Sequence, residues 1–430
     1  MVWRTSAYHG WGRALRAEGE IARPERMSAL TALPTAPAMG MRRSYGDACL
    51  NDAGRIVDMS RLDRILEFDA ETGLLHAEAG LTIGEMVRLF APRGWLPPVI
   101  SGTGFATLGG AIANDVHGKN HHGAGSFGQH VREITLIQGG GARVVKEGST
   151  LFRATIGGLG QTGVIASAML TLKPIKGRVM RVREQRVADF ESFIAAFDES
   201  SAPYSVGWID ATAKGSALGR GIFEEGQIAE GTPPKAKAAK KVPIDAPGFA
   251  LSSPVVRLFN GAYLRRVPVS GRTVKRSFED FFFPLDRIHD WNRLYGKKGF
   301  HQFQCVVPID ASGALKDMLA HIARAGRASP LAVLKKMGPG RAGMMSFPGE
   351  GLTLAVDLRA GSEALVQELN AKTLEAGGRI YLAKDALADA ATIAAMYPER
   401  AAWAAEAAKA DPDGHLSTDL VRRLKLREIA

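Results

Sequence analysis

Glycine is concentrated between residues 101 and 130, and this stretch constrains the fold more than any other part of the chain. It holds eight glycines, with His117 and Lys119 set between them. Glycine costs backbone entropy, so a globular chain concentrates it where a ligand approaches the backbone closely or where φ is positive. Backbone N–H groups free of bulky side chains can line the pyrophosphate of a dinucleotide. The stretch therefore indicates a cofactor site, with a glycine-rich surface loop as the alternative.

The composition limits the class of protein. A chain of 430 residues is long for a single core, which predicts two domains. Hydrophobic residues make up 46% and charged residues 23%, which excludes general disorder. The net charge of +11 predicts a surface that attracts polyanions, namely nucleic acid, anionic lipid headgroups or phosphorylated substrates.

Cysteine content and hydropathy bear on localisation. The two cysteines, Cys49 and Cys305, are far apart, so a disulfide framework is not expected and a reducing compartment fits. No apolar run approaches the length of a membrane span, and the amino terminus lacks the hydrophobic region of a signal peptide. We expect a protein that is cytoplasmic or peripherally associated with a membrane.

The first part of the chain favours short strands with few long helices. Strand-like runs lie at 55–59, 65–68, 75–79, 134–138 and 164–172, and a short helix is predicted at 151–155. Residues 69–73 are typical of a hairpin turn. Thr82 is predicted to cap a helix because Glu85 follows three residues later and an apolar face continues beyond it. This pattern predicts an α+β fold.

A second region begins near residue 173. Strands are predicted at 204–209, 302–308 and 352–358, and helices at 190–197 and 314–325. Residues 231–247 carry four lysines (235, 237, 240 and 241) and little apolar content, which predicts a flexible insertion. A solvated loop is the favoured interpretation of this insertion, and contact with anionic lipid is the alternative. Residues 278–295 are rich in aromatic side chains, which suits a core or a cavity wall.

Several standard motifs are absent or misplaced. Residues 158–163 match GxGxxG, but a helix is predicted before them and a strand after them, the reverse of a Rossmann site. The histidines at 117, 121, 122 and 130 lack a carboxylate or cysteine at ligand spacing, so no metal is predicted. The sequence contains neither a Walker A motif nor a GxSxG elbow.

Three runs carry a family resemblance: residues 43–47 (RSYGD), 102–110 (GTGFATLGG) and 116–122 (VHGKNHH). Together they resemble the vanillyl-alcohol-oxidase-type FAD-binding family. Within that family, residues 124–128, 291–296, 346–348 and 383–385 are similar to oxidases of polyprenylphosphoryl ribose, and the likeness extends from residue 10 to residue 423. The resemblance implies a two-domain α+β fold, with an FAD-binding domain at 1–178, a sheet-containing substrate domain at 179–378 and a return to the FAD domain at 379–430.

The resemblance also implies which residues contact FAD. They form a loop after the first strands, a pyrophosphate region, a segment near the isoalloxazine and two further contacts: Ala38, Met39, Gly40, Met41, Arg42, Arg43, Ser44, Tyr45, Gly46, Asp47, Ala48, Gly102, Thr107, Leu108, Gly109, Gly110, Asn114, Asp115, Val116, His117, Ile165 and Tyr381. Tyr45 occupies a position where some relatives carry a histidine that bonds covalently to the flavin. Tyrosine cannot form that link, so non-covalent FAD is expected.

The implied activity is oxidation of the 2-hydroxyl of a polyprenylphosphoryl-β-D-ribose to the 2-keto sugar, as the first half of an epimerisation. The catalytic residues implied are Lys384, His117 and Tyr45, and the sugar-pocket residues are Lys119, Trp208, Tyr295, Gln304, Lys335 and Lys384. A separate NAD(P)H-dependent short-chain reductase would complete the epimerisation. One alternative is an oxidase of a soluble alditol or aldonolactone. The other is a polyanion-binding protein whose FAD site has decayed; no nucleic-acid partner is expected.

Two positions depart from the family pattern. A glycine usually precedes the RSYGD run, and Arg42 stands there in this chain. The strand position that carries a reactive pocket cysteine in the mycobacterial type is Ala355. Inhibitors that trap that thiol are therefore not expected to bond covalently to this protein.

Overall fold

The computed structural model describes residues 2–235 and 238–428. Helices and several sheets are mixed along the chain, which confirms the predicted two-domain α+β fold. Lys237 of the lysine-rich insertion lies outside the described residues. The domain boundaries inferred above stay a prediction, and the elements are described below in the same three segments.

The first segment, up to residue 178, holds two small sheets. Its strands are Arg4–His9 (β1), Arg16–Ala22 (β2), Ala38–Met39 (β3), Arg55–Asp58 (β4), Ile65–Phe68 (β5), Leu74–Glu78 (β6), Trp95–Leu96 (β7), Val131–Gln138 (β8), Gly141–Lys146 (β9), Val164–Thr171 (β10) and Lys173–Pro174 (β11). Its helices are Met27–Thr31 (α1), Ile83–Phe90 (α2), Leu108–Ala113 (α3), His121–Ala124 (α4) and Thr150–Thr155 (α5). The strands pair in the orders β1-β2-β4-β3 and β5-β6-β10-β8-β9, with β11 and β7 as a separate pair.

The second segment is built on one large sheet. Its strands are Val179–Val187 (β12), Tyr204–Ile209 (β13), Gly221–Ala229 (β14), Lys240–Lys241 (β15), Arg272–Arg276 (β16), Ile288–His289 (β17), Phe300–Val307 (β18), Ala328–Met337 (β19) and Gly351–Arg359 (β20). Its helices are Phe190–Glu199 (α6), Ser253–Arg265 (α7), Phe278–Phe282 (α8), Ser312–Ala325 (α9) and Glu363–Glu375 (α10).

The carboxy-terminal segment completes this sheet and then packs against both parts. Its elements are Arg379–Ile380 (β21), Ala390–Met396 (α11), Arg400–Ala410 (α12) and Asp419–Arg423 (α13). The eight-stranded order is β16-β12-β14-β13-β19-β20-β18-β21, so β21 belongs to the large sheet although residues 379–430 were assigned to the FAD domain. Short 3-10 helices lie at Ala91–Arg93, Phe127–His130, Gly215–Ala217, Gly248–Leu251, Trp291–Tyr295 and Ile309–Ala311.

Local sequence signals account for several of these elements. The Thr82 hydroxyl accepts a hydrogen bond from the Glu85 amide at 3.2 Å, which confirms the predicted start of α2. Residues 69–73 join the antiparallel strands β5 and β6, as predicted. Helix α9 ends at Gly326, whose φ of 64° lies in the left-handed region. Helix α5 precedes residues 158–163 and β10 follows them, so the reversed order that excludes a Rossmann site is confirmed.

The lysine-rich insertion is more ordered than its composition predicts. Strand β15 pairs in parallel with β17, and the Val242 amide donates to the carbonyl of His289 at 3.0 Å. Asp245 forms ion pairs with Arg13 at 2.6 Å and with Arg293 at 3.3 Å. The flexible loop predicted from the polar composition is therefore not found at residues 240–245. Backbone pairing and the Asp245 carboxylate fix these residues against the aromatic-rich run at 278–295.

Candidate active site

One cavity of about 1090 Å³ lies between the first segment and the large sheet. The glycine-rich stretch and residues 38–45 form one wall. Side chains of β13, β18, β19 and β20 form the opposite wall: Trp208, Gln302, Gln304, Val333, Lys335 and Ala355. A cavity of this size and composition is suited to a large cofactor and a substrate side by side.

The loop that follows β3 offers backbone donors to this cavity. Within the described chain, the amides of residues 40–44 have no hydrogen-bond acceptor, and all five residues line the cavity. A Cβ at Gly40 would collide with the Thr107 side chain, so only glycine lets this loop lie against α3. Successive free amides at a cavity wall are an anion-binding arrangement that fits a pyrophosphate.

The amides around the start of α3 are used inside the protein instead. The Leu108 amide donates to the carbonyl of Leu81, and the Gly109 amide donates to that of Ala79, both at 2.8 Å. The Gly110 amide donates to the Thr107 hydroxyl at 3.2 Å. The amides of residues 108–110 therefore shape the wall rather than supply spare donors. The amides of Gly102 and Thr107, also predicted for the pyrophosphate region, have no acceptor in the described chain and stay available to the cavity. The longest run of free donors lies at residues 40–44, where the sequence offered only the family motif as a signal.

Arg42 shows why a glycine is usual at its position. Its φ of 52° lies in the left-handed region, which residues with a Cβ rarely adopt. The departure from the family pattern therefore places a residue with a Cβ in a strained backbone conformation.

His117 lies at the boundary between the two walls. Gln304 Nε2 donates to its Nε2 at 3.1 Å, which places the ring proton on Nδ1, and Nδ1 has no partner in the described chain. Burial, together with the nearby charges of Lys335 and Lys384, lowers the His117 pKa well below 6.5. The ring is neutral at pH 7 and presents a spare N–H.

A second unpartnered polar atom belongs to Asn114, three residues before His117. Asn114 Oδ1 is buried without a hydrogen bond, and Asn114 lines the cavity beside Val116. Buried polar atoms are almost always paired in native proteins, so these two orphaned groups point to a polar ligand in the cavity. One orphaned donor and one orphaned acceptor match the ring system of FAD, which offers both kinds of partner. The residues present therefore fit this cofactor.

Three buried lysines reach the same cavity. The Lys384 Nζ lies 3.6 Å from the centroid of the Tyr45 ring. Burial lowers the Lys384 pKa to about 7, and Lys335 adds to this, whereas Asp357 opposes it. Burial, with the charge of Lys119, also lowers the Lys335 pKa to about 7.

Lys119 is held at the far end of this group. Its Nζ lies 4.1 Å above the Phe281 ring centroid and donates to the Phe281 carbonyl. Burial lowers its pKa to about 8, against the opposing charge of Glu224. Ammonium groups that are expensive to keep charged when buried are stabilised by an anion, so this wall is suited to a phosphate.

Most of the residues predicted for the site share this one cavity. Those that line it are Ala38, Met39, Gly40, Met41, Arg42, Arg43, Ser44, Tyr45, Ala48, Gly102, Thr107, Gly109, Gly110, Asn114, Val116, His117, Ile165, Tyr381, Lys119, Trp208, Gln304, Lys335 and Lys384. Five predicted residues do not line it: Gly46, Asp47, Leu108, Asp115 and Tyr295. The roles given to all of them stay a prediction.

Two of the five fix the loop behind Tyr45. A Cβ at Gly46 would collide with the backbone carbonyl of Asp385. The Asp47 carboxylate accepts hydrogen bonds from Arg423 at 2.7 and 2.9 Å, and Arg423 also donates to Asp385 at 2.8 Å. This clamp ties the Tyr45 loop to the turn that carries Lys384.

The other three are buried behind the walls. Leu108 is fully buried in the core of the first segment. Asp115 accepts hydrogen bonds from the amide of Gly128 at 2.8 Å and from that of Ala342 at 3.2 Å. The Tyr295 hydroxyl donates to Ser329 at 2.7 Å, and its ring stacks on Phe300 with centroids 3.9 Å apart.

Sequence reasoning missed a set of charged residues in the cavity wall. Arg266 donates to Glu184 at 2.6 Å and to Glu224 at 3.1 Å, and Arg276 donates to Glu224 at 3.0 Å. Arg272 on the same strand as Arg276 also lines the cavity. The spacing of Arg272 and Arg276 along a strand places them on one face, which was the available signal.

Arg43 was assigned to cofactor contact, but its packing was not foreseen. Its guanidinium lies 4.0 Å from the Trp11 ring centroid and 4.3 Å from that of Phe105. This stack joins the amino terminus to the glycine-rich stretch. Arg43 therefore braces the loop of free amides as well as lining the cavity.

Metal and membrane signals are weak in the described residues. Across 2–235 and 238–428, no three His, Cys, Asp or Glu side chains come together as a metal site. In the same part of the chain, no helix has both the length and the apolar character needed to cross a membrane.

Comparison with known proteins places this site in a family. A model described as "FAD binding domain" matches residues 32–148. Decaprenylphosphoryl-beta-D-ribose oxidase of Mycolicibacterium smegmatis is 36% identical over 90% of this chain and 89% of its own length. An uncharacterised protein of Streptomyces coelicolor is 31% identical over 80% of this chain and all of its own length. D-arabinono-1,4-lactone oxidase of Kluyveromyces lactis is 27% identical over only 33% of this chain and 28% of its own length.

The chain belongs to the decaprenylphosphoryl-β-D-ribose oxidase family. The protein is therefore an FAD-dependent oxidoreductase. The FAD-domain match spans the loop of free amides, the glycine-rich stretch and His117, so the cavity wall that fits FAD on its own geometry is the one that the family model covers.

Proposed function

We propose that this oxidase converts the 2-hydroxyl of a polyprenylphosphoryl-β-D-ribose to the 2-keto sugar. The product would be reduced to the arabino epimer by a separate NAD(P)H-dependent short-chain reductase. We further propose that the protein works in the cytoplasm or on a membrane surface. The relative named for this substrate covers nearly the whole chain, which supports the proposal.

One observation favours a phosphorylated sugar over a free one: Lys119, Lys335 and Lys384 are all buried at one cavity. Burying an ammonium without an anion is costly, and in the free protein the cost is met by partial loss of the proton. A neutral alditol or aldonolactone would leave this cost in place. A phosphodiester would lower it, because the lysines that hold the phosphate would gain a charged partner.

When bound, FAD supplies the two-electron oxidant that takes the hydrogen from the carbinol carbon, while the hydroxyl proton leaves to a protein group. Residues 40–44, Asn114 and His117 would hold the cofactor through the free amides and the two orphaned atoms. Lys384 is the group that we assign to the hydroxyl proton. With a pKa of about 7, its amine is neutral in an appreciable fraction of molecules near pH 7 and is able to accept that proton.

Tyr45 and Gln304 position the reacting group. The Tyr45 ring lies against the Lys384 ammonium and restricts where its stem can go. Burial raises the Tyr45 pKa well above 10, so the phenol keeps its proton and is able to donate it in a hydrogen bond. Gln304 fixes the tautomer of His117 from the sheet side. Lys119 and Lys335 are left to hold the phosphate.

An anaerobic absorption spectrum tests the proposal. Purified protein should show oxidised flavin, and addition of a short prenylphosphoryl ribose should bleach it, whereas free ribose should not. A spectrum bleached by alditols or aldonolactones but not by the prenylphosphoryl sugar would move the substrate to the soluble class. A colourless protein that does not take up FAD would overturn the cofactor assignment as well.

A further inference from the structure

We propose that helix α7 and the turn before it dock this protein on an anionic lipid bilayer, and that the prenyl tail passes from there into the cavity. The inference deepens the proposed function, because it rests on that function for the identity of the lipid substrate. The surface itself stands on separate observations.

The first observation is an exposed apolar face on α7. Four large apolar side chains on this helix and the turn before it are exposed, and we name them the apolar ridge: Phe249, Val255, Leu258 and Phe259. The exposed fraction is 72% for Phe249, 77% for Leu258 and 50% for Phe259. Val255, Leu258 and Phe259 follow the three- and four-residue spacing of one helix face. Soluble proteins rarely leave several large apolar side chains exposed together, so the apolar ridge marks an interaction surface.

The second observation is that the opposite face of α7 is firmly held. Val256 and Asn260 are buried, and the Asn260 amide donates to Asp210 at 2.7 Å. The Ser253 hydroxyl donates to the carbonyl of Gly326 at 2.7 Å. The apolar ridge therefore cannot turn inward without breaking these buried contacts, and it stays directed at solvent.

The third observation is the charge around the apolar ridge. Residues 238–275 contain seven basic side chains and a single acidic one, Asp245, which is already paired with Arg13. Lys240, Arg257 and Arg265 are exposed, and in the described chain no carboxylate lies within ion-pair distance of them. An apolar helix face flanked by cations is the pattern of a helix lying in the interface of an anionic membrane. A second copy of the chain would bring the same positive charge, which disfavours self-association here.

The fourth observation links this surface to the cavity. The Phe259 ring stacks on Tyr263 with centroids 5.8 Å apart, and Tyr263 lies 4.7 Å from Trp208. Tyr263 and Trp208 both line the cavity. A continuous aromatic path thus runs from the apolar ridge to the pocket that holds the three lysines, and it is suited to an acyl or prenyl chain.

Vesicle flotation tests the docking directly. The FAD-loaded protein is mixed with vesicles of phosphatidylcholine alone or of phosphatidylcholine with phosphatidylglycerol. We expect binding to the anionic vesicles that weakens as salt is raised. The double variant F249S/L258S should lower the vesicle partition coefficient by about tenfold or more. The matched control, L66S/V144S, removes side chains that are 46% and 54% exposed elsewhere and should bind as the wild type does.

Turnover separates this inference from the proposed function. F249S/L258S should keep its activity on a short, water-soluble prenylphosphoryl ribose and lose it on a long-chain substrate presented in vesicles. Wild-type protein that binds no vesicle, or variants that bind equally, would overturn the docking surface while leaving the proposed function intact. Vesicle binding with no flavin bleaching by either substrate would instead overturn the proposed function. If light scattering showed the wild type as a dimer and F249S/L258S as a monomer, with vesicle binding unchanged, the apolar ridge would be assigned to self-association and the lipid inference overturned.

Discussion

At the scale of single residues, Lys384 is the group that most directly tests the assigned chemistry. Replacing it with methionine keeps an unbranched stem against Tyr45 but removes the proton acceptor. We expect K384M to retain FAD and to lose about a hundredfold or more in kcat. The measurement is single-turnover bleaching of the flavin at saturating substrate. The comparison variant K335M should raise KM more than it lowers kcat, since Lys335 is assigned to the phosphate.

The pH profile distinguishes a proton acceptor from a structural lysine. Burial lowers the Lys384 pKa to about 7 in the free protein, and a bound phosphate raises it again. In the wild type, kcat should therefore rise with pH along a limb that begins above pH 7, as the ammonium loses its proton. This limb should vanish in K384M. An unchanged profile and unchanged turnover in the variant would remove Lys384 from the reaction.

Arg42 offers a test of backbone strain at the cofactor loop. Its φ of 52° is one that glycine adopts without a steric penalty. R42G should raise the free energy of unfolding of the apoprotein by about 0.5–1 kcal/mol. Glycine relieves the backbone strain of the folded state, and this gain outweighs the extra conformational entropy that glycine gives to the unfolded chain. Urea denaturation measures the change. R42A keeps the Cβ and should show no gain, and a gain of equal size in R42A would trace the effect to the arginine side chain instead.

At the scale of elements, helix α13 holds two active-site loops together through Arg423. Its guanidinium bonds to Asp47 behind Tyr45 and to Asp385 beside Lys384. R423M would leave both largely buried carboxylates without their partner and should lower the free energy of unfolding by about 3 kcal/mol. FAD affinity should fall as well, because the free amides of residues 40–44 lie just before Asp47 in the chain and depend on the same loop being held in place.

The neighbouring arginine on α13 is the control for that prediction. Arg422 pairs with Asp419 on the surface and with the Asn51 side chain. R422M should cost at most about 1 kcal/mol, as expected for a solvent-exposed ion pair. Chemical denaturation measures the free energy of unfolding of both variants, and FAD fluorescence measures their affinity for the cofactor. Equal losses in the two variants would show that α13 matters as a whole rather than through Arg423.

The elements also show what could be read from the sequence. Linear signals were sufficient for α2, where Thr82 and Glu85 mark the start, and for the motifs that brought most cavity residues together. The network of Arg266, Arg272 and Arg276 with Glu184 and Glu224 could not be read in this way. Its partners come from β12, β14, β16 and the end of α7, so it depends on strand register, and no local pattern specifies which strands become neighbours. Likewise, the period of α7 predicts two faces but not which one the sheet covers.

At the scale of the whole molecule, two groups of cations are expected to act on different parts of the lipid system. Lys240, Arg257 and Arg265 are exposed in the stretch of chain that carries the apolar ridge, whereas Lys119, Lys335 and Lys384 are buried at the cavity. The net charge of +11 gave no means of separating these groups. Salt should screen the surface group strongly and the buried group weakly, because water and ions reach only the first. Binding of a short-chain substrate should consequently depend on salt much less than binding to vesicles does.

The buried group should instead make substrate binding depend on pH. Burial lowers the pKa of Lys335 to about 7 and that of Lys119 to about 8, so in the free protein both ammonium groups are charged below pH 7 and lose their protons as pH rises through 7 to 8. A phosphodiester keeps its single negative charge over this range, so binding above pH 8 has to take up protons.

The Kd of a short prenylphosphoryl ribose should therefore rise by about tenfold or more between pH 6.5 and pH 9, since each coupled proton contributes up to a factor of ten per pH unit. Titration followed by the perturbed flavin spectrum, in K384M to prevent turnover, measures it. The further substitution K119M/K335M should flatten the dependence and weaken binding at low pH. A Kd that is constant with pH in the presence of both lysines would place the phosphate elsewhere. The guanidinium groups of Arg266, Arg272 and Arg276 in the cavity wall would then be the side chains that hold it.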